Sequence, residues 1–211
     1  MAELLRRNGG MLADGLVDHL VLTGIAVGVG FALSLVLVLL IVRSRRLAGP
    51  IIAVAGTLYT IPSLALFAFL VPVTGLSLVS AEIGLVSYTL LILVRNILAG
   101  LDGVSPDVVE AADGMGHTRF QRLVRVELPL ALPLIVAGLR IATVTTIGLV
   151  MVTAVIGQGG LGQVMLRGFS LRNWALVYAS LVVMVGLAIA ADLLLVLAGR
   201  LLTPWTRRRA A

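Results

Sequence analysis

The sequence has no cysteine, and only 12% of its 211 residues are charged. Without cysteine, disulfides and thiol chemistry are excluded. The two histidines, His19 and His117, lie far apart in the sequence and do not have the spacing of a metal site. A soluble domain usually has about 25% charged residues. The composition therefore argues against an ordinary soluble domain, and we expect neither a catalytic residue set nor a metal site in this chain.

Hydrophobic residues make up 60% of the chain, and its mean hydropathy is +1.13. Such a composition is typical of an all-α membrane protein, because backbone amides in a bilayer must be satisfied within each helix. The net charge of +6 comes from sixteen arginines and no lysine. Nucleic-acid binding could explain this charge, but the positive-inside bias of a membrane protein with Arg-rich cytoplasmic loops explains it better. We expect a lipid bilayer as a partner and no nucleic acid.

Long uncharged runs predict about five transmembrane helices in one domain, residues 20–199. Pro72, Gly75 and Ser77 supply turn chemistry between the second and third spans, and four glycines within 157–162 end the fourth. The predicted spans are 20–42, 51–71, 82–99, 130–156 and 174–199.

The distribution of arginine predicts the orientation. With the N-terminus outside, ten arginines lie in cytoplasmic segments and four lie outside, which agrees with the positive-inside rule. We therefore predict an extracytoplasmic N-terminal segment at 1–19, a cytoplasmic loop at 103–129 and a cytoplasmic Arg-rich tail at 200–211.

The cytoplasmic loop contains a compact polar segment, EAADGMGHTRFQRLVRVELP, at 110–129. Pro106 is suited to the first turn of a short helix, which Gly114 and Gly116 are expected to stop. Thr118 and Gln121 have the spacing of a capping box.

We therefore predict a second short helix that begins near Arg119 and ends before Pro129. From the residues alone, this pair of helices could also be an ordinary amphipathic loop on the membrane surface.

The order of residues in this loop resembles the EAA motif of ABC importer permeases. The matching residues are Glu110-Ala111-Ala112, a glycine four positions later at Gly116, and the closing Val126-Glu127-Leu128-Pro129. In that family the loop is a coupling helix that docks into a groove on a cytoplasmic ATPase subunit. The resemblance implies that coupling involves Glu110, Ala111, Ala112, Gly116, Arg119, Leu128 and Pro129.

Further segments resemble permease subunits of osmoprotectant importers, which carry glycine betaine, carnitine, choline or proline betaine. They are TLYTIPSLALFAFLVP at 57–72, VELPLALPLIVAGLRIATV at 126–144 and AVIGQGGLG at 154–162. The resemblance implies a type I ABC importer permease fold, which is MetI-like, in a bacterial plasma membrane. Methionine-type amino-acid permeases share the five-span plan, so an amino-acid substrate stays open as an alternative.

The same resemblance implies three protein partners. They are cytoplasmic ABC ATPase subunits, an extracytoplasmic solute-binding protein and a second permease copy or paralogue. The sequence contains no G-x-x-x-x-G-K-[ST] phosphate loop. We therefore expect no cofactor on this chain and Mg-ATP on the partner ATPase. A self-sufficient carrier or channel is a more distant alternative.

Arg140 and Asp192 fall within the fourth and fifth predicted spans, where charges are expensive and usually paired or functional. We expect Arg140 and Asp192 to form an intramembrane ion pair, with either a structural or a gating role.

Proline in a helix can make a kink or hinge. The predicted solute pathway combines a proline of this kind with nearby aromatic and hydroxyl side chains. Its candidate residues are Tyr59, Pro62, Ser63 and Phe67.

Overall fold

The computed structural model describes the backbone of residues 2–205 and the side chains of residues 9–205. All regular structure in this part is helical, which confirms the all-α prediction. Residues 206–211, which hold three arginines of the predicted Arg-rich tail, lie outside the described residues.

The α-helices of the described part follow one another with short connections. Short 3₁₀ turns lie at Arg45–Leu47 and Ala154–Ile156, and a π-helical turn covers Leu123–Glu127. The α-helices are α1 Ala2–Arg43, α2 Ala48–Thr60, α3 Ser63–Thr74, α4 Leu78–Asp102, α5 Pro106–Gly114, α6 Arg119–Arg122, α7 Leu128–Thr153, α8 Leu161–Ser170 and α9 Trp174–Leu202.

Four helical stretches in the described residues are long and apolar enough to cross a membrane. The count becomes five, as predicted, when α2 and α3 are taken together as one broken span. The four stretches are Gly9–Arg43, Leu78–Asp102, Arg119–Ile156 and Trp174–Leu202.

The predicted second span at 51–71 is broken, because α2 and α3 meet at an angle of 98°. The break lies at Ile61 and Pro62, which have extended ψ angles of 127° and 133°. Proline disfavours the helical conformation in the residue before it and has no N–H for the helical hydrogen bond. Pro62 therefore ends α2 rather than bending a continuous helix.

The first helix is longer than the predicted span at 20–42, because it begins at Ala2 and includes the segment expected to precede the membrane. Leu12 is 5% exposed and packs with Leu161 and Leu176 of α8 and α9. These contacts explain why the helix continues beyond the membrane-length run. The side of the membrane on which this end lies stays a prediction.

The central helix is α4, which packs against α1, α2, α3 and α7. Small residues allow the closest approaches, as is usual between membrane helices. A Cβ on Gly100 would lie 2.9 Å from the carbonyl oxygen of Ala131 in α7. A Cβ on Gly30 of α1 would lie 1.9 Å from the hydroxyl oxygen of Thr89. Helix α4 thus links α1 to α7, the helix that follows the loop at 103–129.

Candidate coupling site and candidate solute pathway

Helix α5 ends in a tight turn at Gly116. The φ angle of Gly116 is +80°, a backbone conformation that residues with a Cβ rarely adopt. The N–H of Gly116 donates to the carbonyl of Asp113 at 2.9 Å, and the N–H of His117 donates to the carbonyl of Ala112 at 3.2 Å. The predicted glycine stop is therefore confirmed at Gly116, whereas Gly114 is still part of the helix.

The second short helix begins with the capping box that the sequence predicts. The N–H of Thr118 donates to the side-chain carbonyl of Gln121 at 2.9 Å, and the N–H of Gln121 donates to the Thr118 hydroxyl at 3.3 Å. These two bonds satisfy backbone donors that have no partner at a helix start. They fix the direction in which the chain leaves the turn at Gly116.

The prediction that this helix ends before Pro129 was wrong. Helix α6 continues through the π-helical turn into α7, so that 119–156 is one helical stretch. The N–H of Leu128 donates five residues back, to the carbonyl of Leu123. A wider turn of this kind relieves the clash between a proline ring and the preceding carbonyls. The loop at 103–129 is consequently joined to a membrane-length helix without a break.

Arg122 connects α5 to this continuous helix. One guanidinium nitrogen, Nη1, lies 2.6 and 2.9 Å from the two carboxylate oxygens of Asp113, and Nε lies 2.6 Å from Glu127. Sequence reasoning placed Arg122 on a polar face but did not identify these partners. The nine-residue separation from Asp113 spans a turn, so no helical periodicity could indicate the contact.

The residues that the resemblance assigns to coupling differ in how exposed they are. Ala112 is buried at 1% exposure, and Leu128 and Pro129 are partly buried. The exposed ones are Glu110, Ala111, Gly116 and Arg119.

Two large apolar side chains of the loop project from its surface. Met115 and Phe120 are each 71% exposed and lie on either side of the Gly116 turn. Large apolar side chains that are this exposed are available for contact with a partner. We call Met115 and Phe120 the apolar tip of the loop.

Three of the four predicted pathway residues lie at the break between α2 and α3. Tyr59 is 39% exposed, and its ring lies edge-on to that of Tyr88, with 5.8 Å between the centroids. The Tyr88 hydroxyl donates to the carbonyl of Ile61 and so satisfies a backbone acceptor at the break. Pro62 forms the break, and Ser63 begins α3.

Phe67 lies elsewhere. It is 1% exposed and packs into a cluster with Leu22, Ala26 and Leu85. A Cβ on Gly84 would lie 2.4 Å from its ring, so the missing side chain on α4 makes room for Phe67. In this structure Phe67 is thus a core residue, and its role in a solute pathway stays a prediction.

The structure brings Arg140 of α7 and Asp192 of α9 together. Nε of Arg140 lies 2.8 Å from Oδ1 of Asp192, and Nη2 lies 3.0 Å from Oδ2. The two side chains are 38% and 34% exposed. The pair is therefore bidentate and borders open space. Within residues 9–205, the structure shows no group of three or more histidine, aspartate or glutamate side chains arranged to hold a metal.

Comparison with known proteins identifies the family. The family described as the binding-protein-dependent transport system inner membrane component matches residues 24–208. The chain belongs to this family. It is accordingly a membrane transport component rather than an enzyme.

Curated relatives of this transport component cover nearly the whole chain. An osmoprotectant import permease protein of Salmonella typhimurium is 40% identical over 93% of this chain and 94% of its own length. A choline transport system permease protein of Bacillus subtilis is 35% identical over 97% and 94%. A carnitine transport permease protein of Listeria monocytogenes is 34% identical over 100% and 96%.

Solved structures show the fold. A methionine ABC transporter in an inward-facing conformation superposes with a TM-score of 0.81 at 24% identity, covering 91% of this chain and 96% of that one. An amino-acid ABC transporter gives a TM-score of 0.76 at 19% identity, covering 93% and 96%. The predicted MetI-like permease fold is thereby confirmed.

Proposed function

We propose that this chain is the permease subunit of an ATP-binding cassette importer that brings compatible solutes such as glycine betaine, choline or carnitine into the cell. The observation that carries this proposal is the similarity, at 34% to 40% identity over nearly the whole chain, to permeases named for osmoprotectant, choline and carnitine transport. The methionine transporter is 24% identical and supports the fold alone. An osmolyte is therefore favoured over an amino acid.

The cytoplasmic loop is proposed to receive a cytoplasmic ATPase subunit, which binds Mg-ATP. Its apolar tip, Met115 and Phe120, supplies exposed surface for such a contact. Glu110, Ala111 and Arg119 are exposed on the same loop. Because α6 continues into α7, a displacement of the docked loop would move a membrane helix directly.

Arg122 has a positioning role in this proposal. Its bonds to Asp113 and Glu127 hold α5 against the start of the continuous helix. Without them, the docked helix could move while α7 stayed in place. The pair of contacts thus makes the loop respond as one body.

The remaining partners follow from the same proposal. An extracytoplasmic solute-binding protein delivers the solute, and a second permease copy or paralogue completes the passage. The N-terminus lies outside and residues 103–129 lie in the cytoplasm. The broken span, with Tyr59, Pro62 and Ser63 at its bend, is proposed to border the passage.

Uptake of radiolabelled glycine betaine into proteoliposomes tests the proposal. The vesicles contain this chain with its ATPase and binding protein, with or without internal ATP. We expect ATP-dependent uptake that Gly116→Ala strongly reduces, because a Cβ strains the +80° φ angle of the turn. Gly114→Ala is the matched control, since Gly114 is helical and a Cβ added there would have no neighbour within 4 Å.

Two other results would revise the proposal. ATP-dependent uptake of methionine without uptake of betaine, choline or carnitine would replace the osmolyte by an amino acid. Betaine uptake that needs no ATPase subunit would favour a self-sufficient carrier.

A further inference from the structure

An open groove of about 580 Å³ lies between α7 and α9, and both charges of the ion pair line it. Its walls are apolar: Ile141 and Val144 come from α7, and Ile189 from α9. No aromatic side chain occurs among the described residues that line it. The groove thus combines one cation and one anion with walls that can pack against methyl groups.

A purely structural ion pair does not account for this arrangement. A partly exposed ion pair usually adds little stability, so Arg140 and Asp192, at 38% and 34% exposure, contribute little to holding α7 and α9 together. Both helices belong to candidate membrane spans, where charges that face lipid are expensive. The Arg140 and Asp192 side chains are each more than a third exposed. Such a pair is better matched to a groove that admits water or a polar ligand.

We propose that this groove binds zwitterionic solutes that carry both a carboxylate and a quaternary ammonium group. The inference rests on the proposed function and specifies its substrate class. The solute carboxylate takes the place of Asp192 on the Arg140 guanidinium, and the solute ammonium lies against the freed Asp192 carboxylate.

The geometry of the resting pair supports this exchange of partners. Arg140 already presents Nε and Nη2 to two oxygens of one carboxylate, at 2.8 and 3.0 Å. A solute carboxylate offers the same two acceptors to the planar guanidinium. Each charge therefore keeps a partner of opposite sign in the bound state.

The apolar walls suit the other end of such a solute. A quaternary ammonium has no N–H to donate, so its methyl groups require close apolar contact and a nearby negative charge. Ile141, Val144 and Ile189 supply the apolar contact, and Asp192 supplies the negative charge. The volume of the groove lies within the range of about 300–1,000 Å³ that is usual for small-molecule sites.

The exchange mechanism discriminates between zwitterions and simple cations. Glycine betaine has a group for each member of the pair. Choline has the ammonium but no carboxylate, so it must displace Arg140 from Asp192 without offering Arg140 a new partner. The groove should therefore prefer betaine to choline, and Arg140 should be the cause of that preference.

Equilibrium binding of radiolabelled glycine betaine and choline to the purified permease–ATPase complex in nanodiscs tests the proposal. For Arg140→Gln we expect betaine affinity to fall about ten- to hundredfold, as for loss of a hydrogen-bonded charge pair, while choline affinity is unchanged or increased. For Asp192→Asn we expect both affinities to fall. Arg45→Gln is the control, because it removes an exposed ion pair with Asp102 outside the groove.

Equal losses of betaine and choline binding in Arg140→Gln would overturn the proposal, and the pair would then be structural and covered by lipid or by a second copy. Absence of betaine binding to the wild-type complex would overturn it as well. If Arg140→Gln fails to fold, Arg140→Lys keeps the charge without the bidentate fork and should lower betaine affinity alone. ATP-dependent betaine uptake by the wild type, measured in parallel, shows whether the proposed function stands when the groove site fails.

Discussion

The backbone N–H of Leu161 donates a hydrogen bond to Nδ1 of His19, 3.3 Å away. This bond determines the tautomer, because an Nδ1 that accepts leaves the proton on Nε2. Nε2 then donates to the carbonyl of Ile147 at 2.9 Å. His19 is fully buried and so joins α1 to α7 and to the first residue of α8.

Replacing His19 by Leu should lower the thermal stability of the purified protein. The change leaves the Leu161 N–H and the Ile147 carbonyl without their partner in a buried place, and each such group costs about 1–3 kcal/mol. The measurement is the melting temperature in detergent. His117→Leu is the control, since His117 is only partly buried and its Nδ1 contacts one carbonyl within its own loop. Equal melting temperatures for the wild type and His19→Leu would show that the two hydrogen bonds add no net stability.

Gly162→Ala should also destabilise the protein. A Cβ at this position would lie 2.4 Å from the carbonyl oxygen of Met151 and 2.9 Å from Cβ of Ala154. Since the nearest atom belongs to the backbone, relief requires α8 to move away from the end of α7, at a cost of about 1–3 kcal/mol. Gly148→Ala, where nothing lies within 4 Å, should leave the melting temperature nearly unchanged. A melting temperature for Gly162→Ala that matches the Gly148→Ala value would contradict this packing.

Sequence reasoning was most successful where the decisive interaction was local. The capping box of Thr118 and Gln121 depends on residues three apart, and the turn at Gly116 depends on one φ angle. Long apolar runs located the spans because bilayer thickness imposes a minimum length. The contact between Arg140 and Asp192 could be anticipated because charges are rare in such runs.

The remaining features depend on packing that periodicity does not reveal in a membrane protein. Both the lipid-facing side and the core-facing side of a span are apolar, so the pattern could not indicate that Phe67 is buried. The proline at 62 allowed either a kink or a complete break, and tertiary contacts such as that between Tyr88 and Ile61 distinguish the two. Pro129 likewise allowed two outcomes, because a proline can end a helix or be accommodated by a wider π-helical turn.

Arg122→Gln should separate ATP hydrolysis from solute uptake in the reconstituted complex. The change removes the bonds that hold α5 to the continuous helix, so a docked ATPase would move the loop without moving α7 to the same extent. We expect uptake per ATP hydrolysed to fall severalfold. Melting should change little, because partly exposed ion pairs contribute roughly 0.2–1 kcal/mol.

Asp113→Asn provides the partner test for Arg122. If the two side chains act through one contact, the double variant should couple ATP hydrolysis to uptake no worse than the poorer single variant. Losses that add up would instead indicate that Arg122 and Asp113 contact the ATPase separately.

Tyr88→Phe should loosen the bend between α2 and α3. The Tyr88 hydroxyl is the donor to the Ile61 carbonyl at the break, and Tyr88 is 6% exposed. Without the hydroxyl, that carbonyl loses its partner, and the angle between the two helices is less strongly determined. The chain has no cysteine, so cysteines at Val54 and Phe69, which are 63% and 74% exposed, can carry spin labels for pulsed electron resonance.

The wild type should give one narrow distance distribution between the labels, and Tyr88→Phe a broader one. Tyr59→Phe is the matched control, because it keeps the edge-on ring contact with Tyr88 and leaves the bond to Ile61 in place. A distribution that broadens in Tyr59→Phe as much as in Tyr88→Phe would assign the bend to ring packing rather than to the hydrogen bond. An unchanged distribution in both would leave Pro62 as the sole determinant, since the missing N–H and the extended residue before it suffice to end α2.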